Sequence, residues 1–420
     1  MLVVARLEIE GPCKLRGEVS IHGAKNSALP LLAACLLCNG ECILHNCPGL
    51  SDVDICIRIL EHLGCKVKRS GSDVAVDATA LTHSDIPDYL MREMRSSIVF
   101  LGAILTRAGQ ARLSLPGGCE LGPRPIDLHL AALRKLGVKI KESHGCMQCT
   151  TGSGLVGSDI SLSFPSVGAT ENIMLTAVCA KGITVIHNAA REPEICDLAH
   201  FLNRCGAHIT GAGEGTIIID GVQSLHGCEH TVIADRIAAA TFMAAAAVTG
   251  SHIALRNIIP RHLASVLPIF EEAGCSCYLN GNDLEIIGPE RLRPMKLVRT
   301  MPYPGFPTDA QAPVMTMAAL ADGNSMFVET IFENRYKHVC ELVRLGAKIK
   351  LEGRVAIIEG VPELYGTNVG AAELRGAAAL VVAGLAANGK TCVYGLKYLD
   401  RGYEHIEESL SQLGAVIIRK

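Results

Sequence analysis

A repeat running through all 420 residues restricts this chain more than any other feature. A glycine that closes a helix pattern and opens a strand pattern recurs at Gly64 (GCKVK), Gly137 (GVKIK), Gly206 (GAHIT), Gly274 (GCSCY), Gly346 (GAKIK) and Gly414 (GAVII), at spacings of 73, 69, 68, 72 and 68 residues. A second set, Gly40, Gly109, Gly182, Gly250, Gly323 and Gly389, precedes the first by 23 to 28 residues each time. Regular self-similarity marks one supersecondary unit used repeatedly, each copy needing neighbours to bury its apolar face. The fold must therefore pack six like units.

Each unit opens with an Ala-rich segment apolar on all sides, such as SALPLLAACLL or AAATFMAAAAV. A helix apolar all round is a buried helix, and small side chains let neighbouring helices approach closely. A glycine stop and a short strand follow (ITVIHN, SHIALRN), then an amphipathic helix ending in Gly (DICIRILEHLG), then two strands (AKIKLEGRVAIIEG). Three such helices are expected to pack inside three sheet-bearing units. After Gly414 only AVIIRK remains, so the sixth unit lacks its last strand, and the N-terminal VARLEIEG resembles the missing piece. We expect residues 2–11 to fill it. One domain would then comprise 1–22 plus 234–420 and the other 23–233, joined near His22–Gly23 and near Val232–Ala234.

Composition narrows the partners. Lys plus Arg number 39 and Asp plus Glu 42, a net charge of −3 that argues against a general nucleic-acid binder. The apolar runs near Ala28–Leu37, Ile237–Val248 and Ala377–Ala387 are shorter than the roughly 18 residues of a membrane span. With no secretory leader read in VARLEIEG, the 18 scattered cysteines are expected to be reduced thiols of a cytoplasmic protein, mostly small buried apolar residues. Cys35-x-x-Cys38 reads as packing on a buried helix. Cys146-x-x-Cys149 beside His144 lacks a second ligand pair, so no metal is expected. GSGLVG at Gly152 precedes a strand rather than a helix, which argues against a dinucleotide site.

Counting 14 residues back from each glycine of the second set reaches the start of each buried helix: Asn26, Arg95, Gly168, Arg236, Asp309 and Arg375. Around them stand Lys25, Ser166, Thr170, Asp235, Thr308 and Glu373. Capping of unpaired N–H groups accounts for Ser166, Asp235, Thr308 and Asn26. It does not account for Lys25, Arg95, Arg236 and Arg375, because cations oppose the positive end of a helix dipole. A bound anion would resolve the conflict. A second constellation is RLSLPGGCELGPRPIDL, residues 112–128, a loop with glycine and proline hinges around Cys119. A thiol there has no core to fill, and neighbouring cations would lower its pKa toward neutrality.

GAKNSALPLLAA, LPGGCELGPRPIDLHL, SVGATENIML, AREPEICDLAHFL, GFPTDAQAP, TIFENRYKHV and LDRGYEHIEESL together resemble the UDP-N-acetylglucosamine 1-carboxyvinyltransferases. The resemblance runs from about residue 5 to the C-terminus. It implies the α/β fold of that family, a two-domain inside-out α/β barrel of six βαβαββ repeats, three per domain. It implies transfer of the enolpyruvyl group of phosphoenolpyruvate to the 3-hydroxyl of UDP-N-acetylglucosamine with release of phosphate, the first committed step of peptidoglycan precursor synthesis. Those two small molecules would be its partners, with no cofactor, metal, nucleic acid or membrane.

By motif, Cys119 resembles the loop cysteine proposed as proton donor and alkylated by fosfomycin, and Asp309 the carboxylate assigned to the sugar hydroxyl. Lys25, Arg124 and Arg401 resemble the phosphoenolpyruvate clamp, with Asn26 beside them and Arg335 and Arg375 in support. Arg95, Arg124, Pro125, Ile126, Asp127, Leu128, Ser166, Val167, Gly168 and Ile331 resemble sugar-nucleotide contacts. Domain and loop closure is expected to exclude water from a cationic intermediate. The chain departs from the family pattern at Ala238 and Ala240 after Asp235-Arg236-Ile237, at Glu373 where an Asp is common, and at Phe164 where some members carry Lys. Two rivals remain at this stage: 5-enolpyruvylshikimate-3-phosphate synthase, which lacks this cysteine loop, and a sugar-nucleotide sensor that binds without turnover.

Overall fold

The computed structural model describes residues 5–114 and 126–420. The buried helices are α1 (Lys25–Cys35), α2 (Phe100–Ala108), α3 (Val167–Ala177), α4 (Arg236–Val248), α5 (Thr308–Ala319) and α6 (Leu374–Ala386). Their composition makes them interior: all residues of α4 from Arg236 to Ala247 are buried. The second repeat differs from expectation at its start. Residues Arg95–Val99 form a 3-10 turn ahead of α2, with Ser97 Oγ bonded to Met94 O at 2.6 Å. Pro30 in α1 and Pro313 in α5 hold equivalent places, and a prolyl nitrogen has no N–H to give the carbonyls of Asn26 and Asp309 four residues earlier.

The described residues form two compact units, 5–22 with 234–420 and 23–114 with 126–233. Each has its own apolar core. In the first, α4, α5 and α6 all touch one another. In the second, α2 touches both α1 and α3. Gly102 of α2 shows how close that approach is, for an added Cβ would lie 2.6 Å from Asn172 O of α3.

Among the described residues each unit carries three four-stranded sheets of one plan. Asp159–Ser161 runs parallel to Ile183–His187, the two being joined through α3; Thr216–Asp220 pairs antiparallel with the latter, and His208–Thr210 forms the outer edge. Alternation sets the faces: Ile217 and Ile219 are buried while Ile218 between them is exposed. In the sixth repeat the place of the final strand is held by β1 (Arg6–Gly11), antiparallel to Gly389–Tyr394 on one side and Val416–Arg419 on the other. The next strand, β2 (Arg16–Ser20), supplies the parallel edge of the fourth repeat against His252–Arg256. Glu229–Thr231 does the same for the first repeat against Glu41–His45. No helix among the described residues is long and apolar enough to cross a membrane.

Candidate active site

In the unit of residues 5–22 and 234–420, the opening of α5 carries a shared charge cluster. Asp309 Oδ1 accepts from Arg335 Nη2 at 2.9 Å, and its Oδ2 accepts from Arg375 Nη2 at 3.1 Å. The guanidinium side chains are only 1% and 2% exposed, whereas the carboxylate is 26% exposed. Arg335 also donates to the Thr308 carbonyl, from Nε at 3.2 Å and Nη2 at 2.9 Å, and its Nη1 lies 3.6 Å from Glu373 Oε2. Burial works against the Arg375 charge, but Asp309, Tyr403 and Asp235 outweigh it and the pKa is raised. Arg375 lies over the Tyr403 ring at 5.5 Å, and Tyr403 Oη meets Thr241 Oγ1 at 2.8 Å.

Three neighbours fix this cluster. Glu373 caps α6, accepting from Arg375 N at 2.9 Å and from Gly376 N. The departure from the family's Asp thus falls on a working cap. Gly402 packs so closely that a Cβ would come 2.8 Å from the Leu374 side chain, which places Arg401, one residue earlier, beside the start of α6. Glu329, 1% exposed, bridges two segments. Its Oε2 accepts from Thr308 Oγ1 at 2.9 Å and Gln311 Nε2 at 3.0 Å, while Oε1 accepts from Ile331 N at 2.7 Å and Phe332 N at 2.9 Å. Thr308 is therefore not the cap expected from the sequence: Pro307 holds that position, and the hydroxyl is committed to Glu329. Asp235 does cap α4, accepting from Ile237 N at 2.8 Å and Ala238 N at 3.0 Å. Arg236 lies over Tyr303 at 5.6 Å. Ala238 and Ala240 are buried in the helix core, and Phe164 of the other unit is exposed.

In the unit of residues 23–114 and 126–233, the opening of α1 is held differently. Lys25 Nζ lies 2.6 Å from Asp52 Oδ2, with both side chains buried. Ser27 Oγ donates to Asp197, whose other oxygen meets His230 Nε2 at 2.9 Å. Gly23 approaches the chain so tightly that a Cβ would fall 1.8 Å from Asn46 O, so no larger residue fits before α1. Asn26 is partly exposed in the first turn and is not the cap, which is Ala24.

A second cluster in this unit joins the nucleotide candidates. Asn172 of α3 accepts from Gly102 N at 2.8 Å, which fixes its amide; its Nδ2 then donates to Ile98 O at 3.1 Å and to His129 Nδ1 at 3.0 Å. His129 therefore carries its proton on Nε2, which lies 3.3 Å from where a Gly168 Cβ would be. Burial first, and then Arg95, push the His129 pKa down to about 4, so the ring is neutral at pH 7. Ser166 caps α3 through Ala169 N at 3.3 Å. Arg95, Asp127 (the first residue of helix Asp127–Lys135, which carries His129) and Ser166–Gly168 are thus drawn together around His129 and Asn172. Ile126 and Leu128 flank Asp127. Cys119, Arg124 and Pro125 lie outside the described residues.

Sequence reasoning did not single out Asp52, His129, Asn172, Asp197 or Glu329. Asp52 opens the amphipathic helix Ser51–Leu63 rather than a buried one, and Glu329 sits at no helix start. His129 and Asn172 lie inside quoted motifs but resemble ordinary helix-interior polar residues.

A family model described as EPSP synthase (3-phosphoshikimate 1-carboxyvinyltransferase) matches residues 9–410. UDP-N-acetylglucosamine 1-carboxyvinyltransferase 2 of Caldanaerobacter subterraneus subsp. tengcongensis is 51% identical over 416 residues, covering 99% of this chain and 100% of the relative. UDP-N-acetylglucosamine 1-carboxyvinyltransferase 1 of Symbiobacterium thermophilum is 49% identical over 419 residues, covering 99% and 95%. The crystal structure of the enolpyruvyl transferase NikO from Streptomyces tendae superposes with a TM-score of 0.90 at 26% identity, covering 99% of each chain. EPSP synthase from Acinetobacter baumannii, at 19% identity and a TM-score of 0.76 over 99% of this chain and 100% of its own, shares the fold. The chain belongs to the enolpyruvyl transferase family. Within it, the similarity is far greater to the UDP-N-acetylglucosamine 1-carboxyvinyltransferases than to the EPSP synthase of Acinetobacter baumannii.

Proposed function

We propose that the chain transfers the enolpyruvyl group of phosphoenolpyruvate to the 3-hydroxyl of UDP-N-acetylglucosamine and releases phosphate. The observation that carries this reading is 51% identity over essentially the whole length of a relative bearing that name. The reaction adds a proton to C3 of phosphoenolpyruvate and the sugar oxygen to C2. The tetrahedral adduct then loses a C3 proton and phosphate, and the hydroxyl proton leaves with the phosphate. It needs an acid above C3, a carboxylate at the hydroxyl, and cations around phosphate and carboxylate.

The residue roles we propose rest on the family motifs, with the charge cluster at Asp309 in support. Asp309 is the most accessible member of a trio with Arg335 and Arg375, and it takes the hydroxyl proton. Those two guanidiniums hold it in one orientation. Arg401, Lys25, Asn26 and Arg124 receive the anionic groups of phosphoenolpyruvate, and Cys119 supplies the acid. Arg95, Asp127, Ser166, Val167, Gly168 and neighbouring backbone receive the sugar nucleotide, and Ile331, held through Glu329, is a further candidate contact. The compartment we propose is the cytoplasm, and residues 1–22 plus 234–420 form the domain that carries Asp309.

The test is phosphate release from phosphoenolpyruvate with UDP-N-acetylglucosamine or shikimate 3-phosphate as acceptor. Release with the sugar nucleotide alone supports the proposal, and release only with shikimate 3-phosphate or with neither acceptor refutes it. Fosfomycin should label the chain, and Cys119→Ser should abolish that labelling.

A further inference from the structure

Five cysteines of the unit containing residues 23–114 and 126–233 converge away from the groups just described. Cys38 opens the short strand Cys38–Asn39, and Cys42 lies on the strand Glu41–His45. Cys205 ends the helix Pro193–Arg204, and Cys228 immediately precedes the strand Glu229–Thr231. The Sγ atoms of Cys38, Cys42 and Cys205 all lie within 4.8 Å of one another. Cys228 Sγ lies 3.3 Å from Cys205 Sγ, and Cys35 stands behind, against Cys42. Among the described residues this is the one group of three or more Cys, His, Asp or Glu ligand atoms so tightly gathered and also fully buried.

The backbone holds these sulfurs where they are. Leu225 pairs with Cys38 and His226 with Asn39 in parallel register. His226 N donates to Cys205 O at 2.9 Å, and Ile43 N donates to Cys228 O at 3.0 Å. Four chain segments are thus locked side by side at the sulfurs. Burial as a small apolar residue explains each cysteine singly but not why four chain segments bring their sulfurs to one point. A zinc ion with four thiolates at about 2.3 Å sets its sulfurs about 3.8 Å apart; Cys38, Cys42 and Cys205 lie within 4.8 Å of one another, and Cys228 lies 3.3 Å from Cys205.

We propose that Cys38, Cys42 and Cys205, completed by Cys228, form a structural thiolate site for a soft closed-shell ion, Zn2+ being the ion whose four-coordinate preference the fourth sulfur meets. Binding breaks an S–H bond in each ligating thiol, releases those protons to water and forms metal–sulfur bonds with no change of oxidation state. Cys38, Cys42 and Cys205 are fully buried, while Cys228 is partly exposed and gives the ion its way in. The ion would pin the end of helix Pro193–Arg204 to the strands beside α1. Its role is stability of this unit rather than chemistry on substrate.

The full-length chain, purified under reductant without chelator from zinc-supplemented medium, should contain one zinc per chain by elemental analysis. Stripped protein should take up Co2+ with intense thiolate-to-cobalt charge transfer and tetrahedral visible bands, and stripping should lower the unfolding midpoint. Cys42→Ser and Cys205→Ser should lose the ion and those bands; Cys340→Ser, which removes an exposed thiol, should keep both. Because a ligand substitution can itself unfold the chain, the wild-type measurements stand alone. Folded, reduced wild type without bound zinc and without a cobalt–thiolate band overturns the proposal. So does a Cys205–Cys228 disulfide found by peptide mapping in place of the metal.

Discussion

Lys25 meets its own carboxylate, Asp52, at 2.6 Å with both groups buried; Arg335 and Arg375, buried as deeply in the other unit, divide the oxygens of one carboxylate that is 26% exposed. Both arrangements place cations where helix dipoles oppose them, and both compensate with carboxylates. They differ in what is left over. The Lys25 pair is buried on both sides, so its use is to hold an ammonium in one place. In the Arg cluster, Glu373 reaches Arg335 only at 3.6 Å and is occupied capping α6. Asp309 therefore stands between two fixed guanidiniums and faces outward, an arrangement suited to meeting a hydroxyl. Asp52 and Asp309 each lie beside one of the helix-start cations, Lys25 and Arg375, for which the sequence pointed to a bound anion.

The largest test of this contrast removes the shared carboxylate's charge. Asp309→Asn should lower kcat by roughly 10²–10⁴-fold, the usual range for a positioned acid–base group, with both substrates still binding. Steady-state kinetics with separate ligand titrations would check this, and a change confined to KM would contradict it. Breaking the buried Lys25–Asp52 pair should instead act on stability. Asp52→Ala should cost about 3–5 kcal/mol in denaturant unfolding by leaving Lys25 buried without its partner, and Asp52→Leu with Lys25→Met should recover much of it. A loss in the double variant equal to that in the single one would show that pairing is not the cause.

Acid should act on both units. His129 in one and His338 in the other have pKa values pushed down to about 4, chiefly by burial, from an ordinary value near 6.5. Between those values the unfolded chain binds protons that the folded chain does not. The stability is full above about pH 6.5 and is lost as pH falls toward 4, by about 3 kcal/mol for each histidine. Urea midpoints measured across that window should fall, and His129→Gln should shallow the slope. The smallest effects belong to the caps. Asp235→Ala, which removes two buried bonds at 2.8 and 3.0 Å, should cost about 2 kcal/mol. Ser166→Ala, which removes one partly exposed bond at 3.3 Å, should cost about 0.5 kcal/mol. Equal losses would mean that cap burial does not matter here.

Periodicity alone made the six buried helices and the unfinished sixth repeat legible, because glycine stops and all-round apolar segments are local signals. The strand β1 beside Gly389–Tyr394 follows from them: an unpaired sheet position and an orphan strand of the same pattern belong together. Family motifs marked Asp309, Arg335 and Arg375 as candidate site residues, though not that one carboxylate bridges the other two. Thr308 misled as a cap because its hydroxyl is drawn to Glu329, 21 residues away, a partner that no local pattern announces.

The sequence by itself determined the repeat, the interior helices and which residue types open them, since these depend on neighbours three or four positions apart and on solvent. Tertiary structure decided which carboxylate serves which cation, which tautomer His129 adopts, and that Cys38 and Cys42 meet Cys205 and Cys228. Those outcomes depend on distances of a few ångströms between segments far apart in the chain. Only the packed core fixes such distances.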